Sequence, residues 1–308
     1  MKNCFLLLFS CVCISSYGQQ DLLSMLDSAK PATKEKVFAT FKTTKVINAQ
    51  STETVKKHTL DFRITHRFGD IGTEGGGSAH DLYGLDNISD YRISFDYGIT
   101  DNLMIGVGRS KLNENIDGTI KWRFLDQTTD NHSPVSATLY GNAALTPEVQ
   151  SSLYSGTTDS TYKFSDRLSY VTQIIIARKF SRSFSLEILP TYFHRNYVKA
   201  LTNPNNNAED QNDMLALGGA LRMKVSKRMA ILVDYFHVFS DFRTNNPITP
   251  YYDPLAVGIE IETGGHVFHL NFTNASGIIE NYFLANTTDS WSKGGMKFGF
   301  NISRVFNL

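Results

Sequence analysis

The sequence contains almost no cysteine: Cys4, Cys11 and Cys13 are its three thiols, and all lie near the amino terminus. Lys2 there precedes the apolar run Phe5–Ile14, and Ser16-Tyr17-Gly18 follows as a small-x-small sequence. This order predicts a cleaved secretory signal peptide over residues 1–18. A lipoprotein signal that uses Cys11 is the less favoured alternative, because Phe9 fits such a signal poorly. Removal of the segment leaves no thiols, which excludes disulfides, cysteine metal sites and cysteine nucleophiles.

Long apolar runs and net charge are absent as well. No later stretch has the roughly 18 uncharged apolar residues that a membrane helix needs. Lys+Arg and Asp+Glu number 30 each, so no basic field indicates nucleic acid as a partner. An exported chain with these properties is either soluble or crosses a membrane as a closed β-barrel, whose strands satisfy every backbone hydrogen bond in lipid.

From Phe38 onward the sequence alternates with a period of two. In Tyr91–Ile99 the odd positions are Tyr, Ile, Phe, Tyr and Ile, while the even positions are Arg, Ser, Asp and Gly. One face of such a strand is apolar and the other polar. Similar runs predict about twelve strands, near residues 60–68, 91–99, 103–112, 116–125, 134–142, 165–179, 184–195, 212–225, 229–240, 254–262, 266–274 and 296–308.

The connections between these runs alternate between short and long, with the brief link at 113–115 as the one exception. Single-chain outer-membrane barrels have an even strand number, short periplasmic turns and longer extracellular loops. A secreted β-sandwich also has alternating strands but needs no alternation of loop length. We therefore expect an all-β chain, a transmembrane antiparallel up-and-down β-barrel of about 12 strands over residues 58–308, in the cell outer membrane.

Residues 19–57 form a predicted periplasmic N-terminal segment between the signal peptide and the barrel. Residues 20–36 contain the only plausible helix of the chain, which is short, amphipathic and stopped by Pro31. The following residues, 37–49, are compatible with a further strand, an interior plug or a periplasmic arm. The sequence does not decide between these three placements.

Several stretches, taken in order, carry a resemblance to a known family. They are "FATFKTTKVINAQSTETVKKHTLDFRITHRFG" (38–69), "LYGLDNIS" (82–89), "DYGITDNLMIGVGRS" (96–110), "RLSYVTQIIIARKFS" (167–181), "IETGGHVFHLNFTN" (261–274) and "FGFNISRVFNL" (298–308). The chain resembles the membrane-bound β-barrel domain family of unknown function numbered 5777 from residue 38 to its end. The resemblance implies a Gram-negative outer-membrane barrel and brings no catalytic residue, cofactor or metal with it.

The stretch Ile261–Asn274 contains an H-x-x-H sequence that suggests a metal site at first sight. A two-residue Gly264-Gly265 turn places Glu260 opposite His269 and Thr263 opposite His266. Because residues three apart on a strand point to opposite faces, the two histidines cannot share a metal. We expect His269 inside the barrel, in a structural contact with Glu260, and His266 outside.

Charged and polar residues collect on the predicted inward faces. The candidates to line the lumen are Asp61, Arg63, Arg67, Arg92, Asp96, Lys121, Arg123, Glu187, Arg222, Lys224, Asp234, Glu260, Glu262 and His269. They either line a hydrated pore or close the interior with salt bridges, and a barrel of about 12 strands is compatible with both. Tyr91, Tyr97, Tyr140, Tyr170, Tyr192 and Tyr235, with Trp122 and Trp291, fit interfacial girdles or loops.

The function predicted from these features is non-enzymatic: a narrow, porin-like pore for small solutes, or a structural barrel. The expected partners are the outer-membrane bilayer and either small solutes or a periplasmic protein, which a scaffold would bind. An outer-membrane lipid-modifying enzyme is the alternative of a different class. It would use Ser110 with His66 or His194, although nothing in the sequence shows that these residues converge.

Overall fold

The computed structural model describes residues 35–72, 77–147 and 163–308. The predicted signal peptide at 1–18 and nearly all of the predicted helix at 20–36 lie outside these ranges. The described residues form one closed antiparallel barrel, in which each strand pairs with its neighbours in sequence and the first strand pairs with the last. The prediction of an up-and-down barrel of about 12 strands is confirmed.

The barrel has twelve strands in the described part of the chain. They are β1 (Thr59–Asp70), β2 (Ile88–Gly98), β3 (Leu103–Ser110), β4 (Ile116–Leu125), β5 (Ser136–Leu145), β6 (Leu168–Lys179), β7 (Phe184–Arg195), β8 (Asp213–Lys224), β9 (Met229–Phe239), β10 (Leu255–Thr263), β11 (His266–Thr273) and β12 (Lys297–Asn307). Single 3-10 turns occupy Ala79–Asp81, Leu112–Glu114, Phe164–Arg167 and Trp291–Lys293.

Strand parity places the apolar residues outside and the polar residues inside. On β2 the side chains of Ile93 and Phe95 are 41% and 43% exposed, whereas Arg92 and Ser94 between them are 9% and 2% exposed. This is the reverse of a soluble protein, in which the apolar face of a sheet is the buried one. The alternation therefore produces a wall with an apolar outer surface.

The two ends of the barrel differ in the length of their connections. We call one the turn end, where the connections span residues 99–102, 126–135, 180–183, 225–228 and 264–265 and the chain enters and leaves the barrel. We call the other the loop end, where they span 71–87, 111–115, 146–167, 196–212, 240–254 and 274–296. The predicted short link at 113–115 corresponds to the connection 111–115, which is short although the other connections at the loop end are long.

Residues 40–55, which we call the lumen hairpin, enter the barrel from the turn end. Their entry is fixed by backbone pairing of Val37 with Gln127, at an N–O distance of 2.7 Å. Inside, Ser51 N donates to Thr44 O at 3.0 Å and Val46 N donates to Ala49 O at 2.8 Å, so the chain turns back at residues 46–49. The segment then returns to the turn end, where β1 begins.

A second segment fills the lumen from the loop end. The connection between β11 and β12 contains helix α1 (Glu280–Asn286), whose residues Phe283 and Leu284 are buried. The expectation that residues 20–36 hold the only helix was therefore wrong. Helix α1 has seven residues and no side-chain cap at Ile279, so burial of its side chains stabilises it rather than sequence propensity. No helix in the described ranges is long and apolar enough to span a membrane.

The lumen has two dissimilar halves. The inward side chains of β6–β9 are largely apolar and form one buried cluster with the hairpin and α1; it includes Ile47, Ile175, Leu189, Phe193, Leu232, Phe236 and Phe283. The inward side chains of β1, β2, β4 and β10 include most of the charged residues. The hairpin and α1 therefore pack on one half as on a protein core and contact the other half through polar groups.

The filled lumen as candidate functional site

The structure places all the predicted lumen residues on inward faces of the wall. Ten are buried: Asp61, Arg63, Arg67, Arg92, Lys121, Glu187, Arg222, Asp234, Glu260 and His269. Four are partly accessible to solvent: Asp96, Arg123, Lys224 and Glu262. Most of the ten buried residues contact one another, the hairpin or the loop that carries α1, and Arg92 pairs with Asp117 of β4. In this conformation the hairpin and α1 occupy the middle of the lumen.

Asp234 of β9 binds the tip of the lumen hairpin. Its Oδ2 accepts hydrogen bonds from the backbone N–H groups of Ile47, Asn48 and Ala49, at 3.1, 2.8 and 3.3 Å. Three converging N–H groups are a suitable environment for a carboxylate, because hydrogen bonds to a charged acceptor are stronger than neutral ones. Asp234 thus satisfies amides that the tight turn at residues 46–49 leaves without backbone partners.

Lys121 and Arg63 bind the arms of the hairpin below its tip. Lys121 Nζ donates to Thr44 O at 2.7 Å and to Ser51 O at 3.1 Å, so one ammonium group bridges both arms. Arg63 donates to the Thr44 hydroxyl at 2.9 Å and also pairs with Asp61 at 3.0 Å. These two cations of the charged half therefore contact the hairpin through backbone carbonyls and one hydroxyl.

Arg67 of β1 contacts both lumen segments. Its Nη2 donates to Asn48 Oδ1 in the hairpin. Its Nη1 donates to the carbonyl of Ala275, at 3.0 Å, and to that of Gly277. Both carbonyls belong to the connection that carries α1, so a single guanidinium links the segments that enter from opposite ends.

The hairpin and α1 also contact each other directly. Lys45 Nζ donates to Ile278 O at 2.9 Å, and Gln50 Nε2 donates to Glu280 Oε1 at 2.9 Å. Gln50 Nε2 also lies 3.3 Å from the hydroxyl of Tyr140, which is buried. The assignment of Tyr140 to an interfacial girdle was therefore wrong, because this residue faces inward on β5 and contacts the two lumen segments.

The hairpin of β10 and β11 has the predicted register. Glu260 pairs with His269 and Thr263 with His266, so the two histidines lie on opposite faces of the wall. His269 Nε2 lies 3.5 Å from Glu260 Oε2 inside the barrel. Arg222 of β8, a predicted lumen residue whose partner was not predicted, is the third member, and its Nη2 lies 2.6 Å from Glu260 Oε1. Glu260 therefore contacts both Arg222 and His269 in the wall.

In the described part of the chain, three cavities follow one another from the turn end to the loop end of the lumen. A cavity of about 590 Å³ at the turn end is lined by residues that include Thr44, Glu53 and Gly264. A central cavity of about 20 Å³ is lined by residues that include Thr44, Arg92 and Glu280. A cavity of about 400 Å³ at the loop end is lined by residues that include Asn115, Arg195 and Asn281. Thr44 of the hairpin lines both the turn-end and the central cavity, and the adjacent α1 residues Glu280 and Asn281 line the central and the loop-end cavity.

The residues considered for lipid chemistry do not converge. Ser110 is buried on the inward face of β3, whereas His66 and His194 are on outward faces of β1 and β7. The barrel wall therefore separates the hydroxyl from both imidazoles. In residues 35–72, 77–147 and 163–308 there is also no group of three or more His, Cys, Asp or Glu side chains arranged to hold a metal.

Comparison with known proteins gives one family and several similar structures. Residues 41–306 match the family described as membrane bound beta barrel domain (DUF5777). No curated protein matches the chain. The NanC porin has 8% identity and a TM-score of 0.45, with 81% of this chain and 99% of that chain covered. The KdgM porin has 8% identity and a TM-score of 0.42, with the same coverage.

A third similar structure is an outer membrane channel from Pseudomonas putida F1. It has 10% identity and a TM-score of 0.46, with 83% of this chain and 98% of that chain covered. At these identities and TM-scores the likeness transfers no transport activity or substrate from those channels to this chain.

Proposed function

This chain belongs to the family of the membrane bound beta barrel domain, and from that premise we propose that it is a narrow, gated pore of the outer membrane, closed in the conformation described. Its turn end faces the periplasm and its loop end the exterior, as export behind a cleaved signal peptide requires. The pore is non-enzymatic and conducts small polar solutes once the lumen hairpin or α1 is displaced.

The row of three cavities is the observation that supports a pore best. All three have charged and polar residues in their linings, and the residues that border neighbouring cavities include Thr44 of the hairpin and Glu280 and Asn281 of α1. A purely structural barrel has no need for polar cavities in series through its interior. Displacement of the hairpin would join the turn-end cavity to the central one without any change in the strands.

The charge of the lumen indicates what such a pore would pass. Arg63, Arg92 and Lys121 lie in the same half as Asp61 and Asp96, so both signs face the path. In a pore lined by charged side chains, strong selectivity for cations or anions comes from rings of one sign. We therefore infer weak ion selectivity and a preference for small polar solutes, whether neutral or zwitterionic.

Conductance in a planar bilayer tests the proposal through Asp234. Asp234→Ala removes the acceptor of three hairpin amides, which raises the cost of keeping the tip docked. Asp234→Asn retains an oxygen acceptor and is the matched control. We expect rare openings in the wild-type protein, frequent openings in Asp234→Ala and an intermediate frequency in Asp234→Asn. Ion substitution in the same bilayers measures the selectivity.

A scaffold barrel is the second candidate, and the apolar half of the lumen favours it. The hairpin and α1 pack there as in a protein core, which would make the filling permanent. Deletion of residues 40–55 distinguishes the two functions in protein that still shows a heat-dependent shift on detergent gels. A folded deletion variant that conducts no ions through the bilayer would rule out the pore and leave the scaffold.

A further inference from the structure

A short sequence occurs twice in the wall, two strands apart. Tyr192-Phe193-His194 on β7 and Tyr235-Phe236-His237 on β9 are the same tripeptide. Each lies opposite an Asp-x-Leu sequence: Tyr192 pairs with Leu215 and His194 with Asp213, and Tyr235 pairs with Leu255, two residues after Asp253. Both copies lie where their strands approach the loop end. The proposed pore makes no use of them.

The side chains of each copy form one hydrogen-bonded cluster. We name them the Asp213 cluster (Tyr192, His194 and Asp213) and the Asp253 cluster (Tyr235, His237 and Asp253). Asp213 accepts hydrogen bonds from the Tyr192 hydroxyl and from His194 Nδ1, the latter at 2.7 Å. Asp253 accepts from the Tyr235 hydroxyl at 2.5 Å and from His237 Nδ1 at 2.8 Å. The carboxylate accepts, so each imidazole carries its proton on Nδ1.

Both clusters lie on the outer surface of the wall. The middle residues, Phe193 and Phe236, are buried inside, so the tyrosines and histidines on either side point outward. Further from the loop end, Ile188 and Leu217 continue the same outer surface and are exposed. The clusters therefore lie at the border between the apolar outer band and the loops, where a bilayer has its headgroups.

Neither carboxylate forms an ion pair with a lysine or arginine of the described residues, and the charge of Arg243 acts on Asp253 only at longer range. In the described ranges, the ion pairs of Asp213 and Asp253 are with His194 and His237 alone. A neutral imidazole that donates through Nδ1 leaves Nε2 as an acceptor directed away from the carboxylate. Each histidine lies next to one further aromatic ring: the ring centroids of Tyr170 and His194 are 6.3 Å apart, and those of Phe239 and His237 are 4.7 Å apart.

We propose that the two clusters bind the ammonium headgroups of membrane aminophospholipids. A carboxylate, an accepting imidazole nitrogen and aromatic faces are the groups that recognise an ammonium ion. A phosphate alone would meet a carboxylate that has no lysine or arginine ion pair in the described part of the chain. The exposed apolar surface next to each cluster accommodates the acyl chains of the same lipid.

Native mass spectrometry of the detergent-purified full chain tests this. The protein is titrated with phosphatidylethanolamine or phosphatidylglycerol of identical acyl chains. We expect up to two retained molecules of phosphatidylethanolamine and weaker retention of phosphatidylglycerol. We expect Asp213→Asn and Asp253→Asn each to weaken the binding of one phosphatidylethanolamine molecule about fivefold, so that fewer protein ions retain two molecules. Asp241→Asn, an exposed loop aspartate outside the clusters, serves as the control and retains both.

Tyr192→Phe and Tyr235→Phe provide a second pair of variants, which disturb the fold less than the Asp→Asn variants. Each removes one hydrogen bond to the carboxylate of its cluster. We expect them to change the retention of phosphatidylethanolamine and to leave that of phosphatidylglycerol unchanged. Equal retention of the two lipids by the wild-type protein would overturn the proposal. So would unchanged retention in the double Asp→Asn variant, or a lipid preference that disappears on addition of EDTA, which would indicate a bridging metal ion.

Discussion

Arg67 of β1 donates a hydrogen bond to the side-chain oxygen of Asn48, deep inside the barrel. The residue is 1% exposed, and its other hydrogen bonds go to carbonyls of the connection that carries α1. The two segments that fill the lumen are therefore attached to the wall and to each other at one cation. Because bulk water does not reach this site, a lost hydrogen bond there is not replaced at low cost.

Replacement of Arg67 should loosen both lumen segments at once. Arg67→Met keeps a long side chain but leaves Asn48 Oδ1 and two carbonyls without their donor. We expect a loss of about 3 kcal/mol in the free energy of unfolding, measured as a lower midpoint temperature of the gel-shift transition in detergent. Arg123→Met, at the partly accessible turn end, should cost less. Equal losses in the two variants would contradict the role assigned to Arg67.

Lys121 should control the access of proteases to the hairpin. Its ammonium group bridges Thr44 and Ser51 on opposite arms, and the neighbouring Lys45 is buried. We expect Lys121→Met to release the arms and allow trypsin to cleave after Lys45 within the folded barrel, where the wild-type protein resists. Lys224→Met, another inward lysine, is the control. Protection of Lys45 in both variants would show that the bridge does not keep the hairpin docked.

Phe283 should fix helix α1 in the lumen. Its side chain is fully buried, with its ring centroid 5.4 Å from that of Phe236. Phe283→Ala is expected to lower the free energy of unfolding by about 3–5 kcal/mol. It should also increase the conductance of the barrel, because α1 would be held less firmly at the loop end. The neighbouring Tyr282, which lines the loop-end cavity, provides the matched control as Tyr282→Ala. A conductance as low as that of the wild-type protein in a folded Phe283→Ala variant would exclude α1 as a barrier.

The docking of the hairpin should depend on pH through Glu53. Burial raises the pKa of this carboxyl group above its ordinary value, against the opposing effects of Arg123 and of the Phe41 and Thr40 amides. A group whose pKa is higher when docked than when released favours docking at low pH. This contribution is lost as the pH rises through the raised pKa.

We therefore expect fewer openings in planar bilayers near pH 5 than near pH 8. Glu53→Gln retains an acceptor for the Thr40 and Phe41 amides but does not titrate, so its openings should change less over the same range. Openings that decrease as the pH rises, or an unchanged pH dependence in Glu53→Gln, would contradict this assignment.

The inward and outward faces of the barrel wall could be predicted from the sequence because they depend on a local pattern of residues. Alternation of apolar and polar residues fixes which face of a strand points outward, and the Gly264-Gly265 turn fixed the register of Glu260 with His269. Tyr140 was misplaced because its residue type was weighed above its parity: Ser136, Thr138 and Asn142 share its face, and that face points inward. The alternation along β5 by itself predicts the inward position of Tyr140.

The filling of the lumen could not be predicted in the same way. Asp234 contacts backbone amides at residues 47–49, and amides carry no signal in the sequence. Arg222 and Glu260 lie on strands that β9 separates. Their contact depends on the tilt of the strands in a closed barrel. Helix α1 was missed because burial rather than local propensity stabilises it. Long-range packing determines all three.

The hairpin enters and leaves the barrel through the same opening. Residue 37 pairs with the turn at 126–135, and β1 begins at Thr59 on the same rim, so neither arm passes between strands. The hairpin contacts Asp234, 185 residues away in sequence, yet no strand pair has to separate for it to arrive or withdraw. Assembly and opening can therefore follow one reversible path along the barrel axis, while the seam between β1 and β12 stays closed.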